Sequence, residues 1–359
     1  MPRNEYSGAS RKSSPVTPLI LALLFGVLLL VIQSRFGATG LMAGFAASMG
    51  AVPLYVGLVL WLDRHEPEPH ALLAWAFFWG ASGATFLSFV ANTLFATTRV
   101  YYDPVVADFL GSAFFAPAAE ELAKGALLIA FFHWYPDEFD NVTDGIISAA
   151  MVGLGFAATE NVLYYAAAYA AGPEVLAETW LIRGVASPYA HPLFTAALGL
   201  SLGIARERSS DRGFHALAAV TGLTGAILLH ASWNLAAITG TIGSFYLYSM
   251  VPIFLGFLVL LRRSLLREAE VIRRELRPYV AAGILAPEQL ARLSSSSLRF
   301  RASARALING GRRALHDEVV FHQAATELAF QRWRMARGLE SGEPAQARID
   351  GLLALLRRS

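Results

Sequence analysis

The sequence predicts an all-α fold, a polytopic membrane bundle of about eight transmembrane helices with a cytoplasmic helical C-terminal region. Three observations carry that prediction. Of 359 residues, 55% are hydrophobic and 16% charged, with a mean hydropathy of +0.47, whereas a soluble domain carries about 25% charge. Apolar runs long enough to span a bilayer recur along the first 261 residues. Beyond Arg262 the chain turns charged and helix-patterned.

In chain order the spans fall near 16–33, 40–62, 71–96, 108–132, 143–171, 188–205, 214–239 and 244–261. Basic residues precede the first run, as in a signal peptide. VTPLILALLFGVLLLVIQ is nevertheless long for such a segment and has no convincing small-residue cleavage site behind it. Residues 1–15 then read as a cytoplasmic tail, 16–261 as the transmembrane domain and 262–359 as a cytoplasmic helical tail. Arg3, Arg11, Lys12, Arg206, Arg208, Arg212, Arg262, Arg263 and Arg267 fall on one side of this arrangement, against Arg35, Arg99 and Arg183 on the other. The positive-inside rule therefore places both termini in the cytoplasm of a multi-pass protein of the cell membrane.

The absence of cysteine excludes disulfides and thiolate metal sites. A net charge of +2 gives no electrostatic case for a nucleic-acid partner. The segment DRHEPEP at 63–69 reads as a stiff, ion-paired turn at a helix end. In the tail, Pro287, the serine run and Gly310–Gly311 break the helical pattern. Basic residues there suit anionic lipid headgroups, and His316 and His322 read as ordinary surface residues.

The informative residues are polar groups inside the spans. An unpaired charge in hydrocarbon costs several kcal/mol, so such groups face the bundle interior, pair, or line a wet cavity. Span four holds Glu120, Glu121 and Lys124, span five Glu160 and Asn161, span six His191, and span seven His230 and Asn234. On a helix Lys124 projects about 40° from Glu120 and about 60° from Glu121. One ammonium cannot neutralise two carboxylates, so about one negative charge, or a shared proton, is left pointing inward. Counting at 1.5 Å per residue puts Glu120 about 18 Å deep from outside, and Glu160 and His230 about 25 and 24 Å up from inside. All lie from mid-membrane to the outer leaflet, close enough in depth to form one site.

Peptide hydrolysis needs an activated water and a stabilised oxyanion. Glu160, His191 and His230 form a carboxylate-plus-two-imidazole set of the kind that binds Zn2+ with one position open. In that reading Glu120 is the general base, Lys124 holds Glu121, and Asn234 donates to the oxyanion or orients His230. A metal-free version has Glu120 activating water while the histidines polarise the carbonyl.

Five pieces carry a resemblance: DRHEPEPHALLAWAFFWGA, EELAK, GFAATEN, HPLFTAALG and HASWN, in that order and over roughly residues 45–240. The chain resembles the PrsW family of intramembrane proteases, in the wider group with the CAAX prenyl endopeptidases and the Abi proteins. The resemblance implies a metalloprotease whose functional residues include Glu120, Glu121, His191 and His230. It further implies a single-span membrane protein as substrate, an anti-sigma factor in related bacteria, cut on its extracytoplasmic side. The wider group has histidine where this chain has Glu160. Two other readings use the same features: a proton- or cation-coupled transporter built on the buried carboxylates and histidines, and a membrane scaffold acting through its tail.

Overall fold

A computed structural model describes residues 16–63, 68–101, 103–136, 138–338 and 341–357, with the side chains of residues 99 and 100 left aside. The N-terminal tail with Arg3, Arg11 and Lys12, most of DRHEPEP, and the Arg99 side chain thus lie outside the described residues. Those described are helical and include no strand. The helices are α1 Val16–Leu62, α2 His70–Thr97, α3 Pro104–Leu110, α4 Ala116–Trp134, α5 Val142–Ala171 and α6 Pro173–Trp180. After these come α7 Ala190–Arg208, α8 Arg212–Ile238, α9 Val251–Ala281, α10 Pro287–Leu293, α11 Ser296–Ala336 and α12 Glu343–Leu356. The chain divides into a membrane unit, Ser14–Trp61 with Glu68–Leu261, and a C-terminal unit that includes Arg262–Ser359.

Five helical stretches are long and apolar enough to cross a membrane: Val16–Leu62, His70–Thr97, Val142–Ala171, Arg212–Ile238 and Ile242–Ala281. The sequence reading counts about eight, and the difference has physical sources. Helix α4 has 19 residues and carries Glu120, Glu121 and Lys124. Helix α7 has 19 and ends in Arg206 and Arg208. Helix α1 counts once, although Gly37 breaks it with φ 72° and ψ 172°. Ile32 and Gly44, on either side of that break, both lie against Val162 and Ala166 of α5. Twelve residues of straight helix would separate them by about 18 Å, so the chain turns back at Gly37, where only glycine adopts that backbone without strain.

The centre of the membrane unit is α5, buried along most of its length. Glycines let its neighbours approach to backbone contact, as membrane helices require when no aqueous hydrophobic effect drives packing. A Cβ on Gly145 would lie 2.2 Å from the Gly199 carbonyl oxygen of α7, and one on Gly155 would lie 1.9 Å from that of Phe77 in α2. Asn141 and Asp144 form a capping box at the start of α5. The end of α7 is tied to the same place: Glu207 accepts from the Val142 amide at 3.0 Å, and Arg206 donates to the carbonyls of Phe132 and Phe139. Arg206 is therefore a structural clamp as well as a topological charge. These linkers gather at one end of the bundle, and the polar residues of the spans gather toward the other.

The C-terminal unit has its own core of Ile272, Leu276, Leu293, Phe321, Leu328 and Leu352. Pro287 starts α10, Ser294 and Ser295 separate it from α11, and Gly311 kinks α11 at φ 69°. His322 departs from the surface reading. It is buried at 7% exposure, while His316 is exposed.

Candidate active site

Helix α4 supplies the three charges. Glu120, Glu121 and Lys124 are all buried, and Lys124 has no exposed surface at all. The Lys124 ammonium sits 2.8 Å from Glu121 Oε1, 3.7 Å from Glu120 Oε2 and 3.9 Å from the centre of the Phe156 ring. Its remaining short contact is His191 Nδ1 at 2.9 Å. An ammonium only donates, so Nδ1 accepts and the His191 proton resides on Nε2. That nitrogen lies 2.8 Å from Glu160 Oε2, a carboxylate oxygen able to accept it. Both nitrogens of His191 are thus committed.

His230 is held differently. Its Nδ1 lies 3.0 Å from Glu121 Oε1, whose other oxygen accepts from Thr195 Oγ1 at 2.9 Å. A carboxylate partner places the neutral ring's proton on Nδ1 and leaves Nε2 a lone pair. That Nε2 lies 3.8 Å from Glu120 Oε2, too far for a hydrogen bond. Glu120 Oε2 is a buried oxygen with no hydrogen-bond partner among the described residues. Phe194 stacks on the His230 ring at 4.8 Å and fixes its plane.

These groups line a cavity of about 540 Å³ bounded by α2, α4, α5, α7, α8 and the linker after α6, with Asn92, Ser112 and Trp233 on its walls. Glu120, Glu160, His191, His230 and Asn234, drawn from four helices, all face it. Glu121 and Lys124 stand behind them. Asn234 donates to the Ser112 carbonyl at 2.9 Å and so ties α8 to the turn before α4. The group orienting His230 is Glu121.

Three residues escaped the sequence reading. Arg183, on the π-helical turn Leu181–Ala186, donates Nη2 to Glu160 and, at 2.6 Å, Nε to Asn161. Its guanidinium also covers the Tyr164 ring at 3.8 Å. It had been counted only as a loop charge, although a lone arginine in the apolar stretch WLIRGVA was itself a signal. Thr195 stands one turn after His191 on the same face, a spacing that could have found it. Asn92 leaves its buried Oδ1 without a partner among the described residues, and no sequence signal marks it.

The donor set has the composition of a catalytic metal site. Ligand atoms of Glu120, His191 and His230 lie within 4.8 Å of one another. The unpartnered Glu120 oxygen and the free His230 lone pair fit a divalent cation, and Glu121 on the far nitrogen of His230 is the usual supporting carboxylate. To join them, His191 would exchange its Nε2 contact with Glu160. The carboxylate of this trio is Glu120, whereas the sequence reading had placed Glu160 in that position. Glu160 is occupied by Arg183 and His191.

A helical membrane protein with a buried acid–imidazole site opening into a cavity between its spans is the class that fold and site define. Residues 68–257, more than half of the chain, match the family described as PrsW family intramembrane metalloprotease, and the chain belongs to that family. It is 30% identical over 161 residues to Protease PrsW of Geobacillus kaustophilus, covering 43% of this chain and 62% of that protein. It is 36% identical over 93 residues to Protease PrsW of Oceanobacillus iheyensis, covering 24% and 40% respectively. The matches span less than two thirds of either relative. No solved structure matches the chain.

Proposed function

We propose that this protein is an intramembrane endopeptidase that cleaves a single-span membrane protein, of the anti-sigma-factor type, near the extracytoplasmic side. The observation that carries the reading is the pair formed by Glu120 Oε2 and His230 Nε2. These two atoms lie 3.8 Å apart, without a hydrogen bond between them, on the wall of a cavity of about 540 Å³, and the Glu120 oxygen has no hydrogen-bond partner among the described residues. Relatives that share this region carry the name protease. Membership of that family favours hydrolysis over the carrier reading.

In this proposal a water in the cavity donates its hydrogens to Glu120 and His230. Glu120 takes the proton as the water attacks the scissile carbonyl, and returns it to the amide nitrogen as the C–N bond breaks, releasing an acid and an amine. Glu121 keeps the His230 lone pair turned inward, and Lys124 holds Glu121 and His191 in register. Asn234 retains amide capacity beyond its bond to Ser112 and lies on the wall where the developing oxyanion would need a donor. In the metal form the same Glu120 oxygen and His230 lone pair would instead join His191 in holding a Zn2+ ion, with Glu160 freed from His191. When bound, the metal supplies Lewis-acid polarisation of the carbonyl and acidification of water. Membrane lipids surround the spans, and both termini are cytoplasmic in this arrangement, which puts the cavity end of the bundle outside.

The test is cleavage of a single-span reporter by protein reconstituted in liposomes. Glu120→Gln should lower kcat by about 10²–10⁴-fold, and His230→Ala should abolish cleavage while the protein stays folded. Full cleavage by His230→Ala would sink the reading. Elemental analysis of wild type against His191→Ala/His230→Ala separates the two mechanisms. Stoichiometric zinc lost in the double variant identifies the metal form, and zinc-free wild type that still cleaves identifies the glutamate form.

A further inference from the structure

The first half of α11 is unlike the rest of the C-terminal unit. Of residues 296–310 only Arg299 is buried, its guanidinium donating to the Leu293 carbonyl and to Thr326. The outer face carries Phe300 at 73% exposure, Leu307 at 45% and Ile308 at 81%. At 100° per residue these three lie within about 100° of arc. Arg301 and Arg305 follow on the adjoining arc, and Arg312 and Arg313 stand just past the Gly311 kink, all four exposed. No Asp or Glu occurs between residues 289 and 316.

An apolar stripe rimmed by arginine with no acidic residue is the pattern of a helix lying in a lipid interface, its rings and aliphatic groups among the acyl chains and its cations among the headgroups. Four arginines with no acidic partner among the described residues specify the charge of that surface as negative. A large aromatic and an isoleucine held outward cost solubility and give nothing to a purely electrostatic partner such as nucleic acid. We propose that residues 296–313 form an amphipathic anchor for an anionic bilayer surface, a second membrane contact in a chain already fixed by its spans. Each arginine contributes about fivefold to partitioning onto such a surface, and salt weakens the attraction.

The chain has no cysteine, so one thiol can be placed at will. Full-length Ile308→Cys, labelled with an environment-sensitive fluorophore, is reconstituted in nanodiscs of phosphatidylcholine alone or mixed with phosphatidylglycerol. Ala347→Cys, on an exposed position of α12, serves as reference. The expected result is a blue-shifted emission at residue 308 only in anionic discs, reversed by high salt. The shift should also be lost when Arg301, Arg305, Arg312 and Arg313 are all changed to Gln. No shift in anionic discs overturns the proposal. So does an equal shift in both lipids that ignores the arginine changes, which would assign the face to a protein neighbour or a second copy.

Discussion

At the scale of single residues, the site is governed by one ammonium. Lys124 contacts both carboxylates of α4 and a nitrogen of His191, and none of its surface is exposed. Removing one member of a buried charge group leaves its partners uncompensated, which typically costs about 3–5 kcal/mol, whereas replacing the whole group by well-packed apolar residues is often neutral or stabilising. Lys124→Met should therefore lower the unfolding midpoint in detergent strongly, and Lys124→Met/Glu121→Gln should recover part of the loss. Additive losses in this cycle would mean the two groups are not coupled.

Arg183 acts one contact further out. Its planar fork engages Glu160 and Asn161 together, which a lysine cannot reproduce. Arg183→Gln and Arg183→Lys should each reduce kcat about 10–100-fold with little change in KM, since neither variant alters Glu120 or His230. A change confined to KM would instead make Arg183 a substrate contact. This residue also shows where the sequence stopped being legible. Glu120, Glu121, His191 and His230 could be brought to one depth by counting residues along spans, because helix rise is fixed. Which acceptor is left free depends on a partner in a linker, where no period applies. No basic residue stands near Glu160 on its own helix, and the arginine that pairs with it stands 23 residues away.

At the scale of elements, the packing of α5 depends on the absence of side chains. Gly145 and Gly199 face each other so closely that a Cβ on either meets the other's carbonyl at 2.2 Å or 2.0 Å. Gly145→Ala must push α5 and α7 apart and should destabilise by about 1–3 kcal/mol. Gly57→Ala, in α1 with nothing within 4 Å of the added methyl, should be neutral or stabilising by up to about 1 kcal/mol. Thermal unfolding of the two variants in one detergent checks both, and equal midpoints would contradict the role given to the α5–α7 contact. The apolar lengths of these elements were readable from composition. So was the turn at Gly37, which falls in the gap at 34–39 between the first two expected spans, where Ser34 and Arg35 interrupt the apolar run. Glycines in contact across helices look the same in sequence as glycines facing lipid.

At the scale of the whole molecule, the C-terminal unit carries a pH dependence of its own, because it buries His322 beside arginines. Burial, with the charges of Arg299 and Arg292, pulls the His322 pKa down from 6.5 to about 3. Glu318 lies 3.0 Å from His322 Nε2 and opposes that shift, but Arg292 pairs with the same carboxylate oxygen at 3.1 Å and blunts it. The neutral ring is therefore the folded form. The unfolded chain begins to bind a proton near pH 6.5, and the folded chain does so only near pH 3. Stability from this group is complete above about 6.5 and falls as the pH drops toward 3, by about 1.4 kcal/mol at pH 5.5. Hydrogen exchange on the intact protein should show protection in residues 321–334 weakening between pH 7 and 5.5, after correction for intrinsic rates. His322→Gln should flatten that dependence, since glutamine carries no titrating proton. A pH response unchanged in His322→Gln would place the sensitivity elsewhere and remove this histidine from the stability of the C-terminal unit.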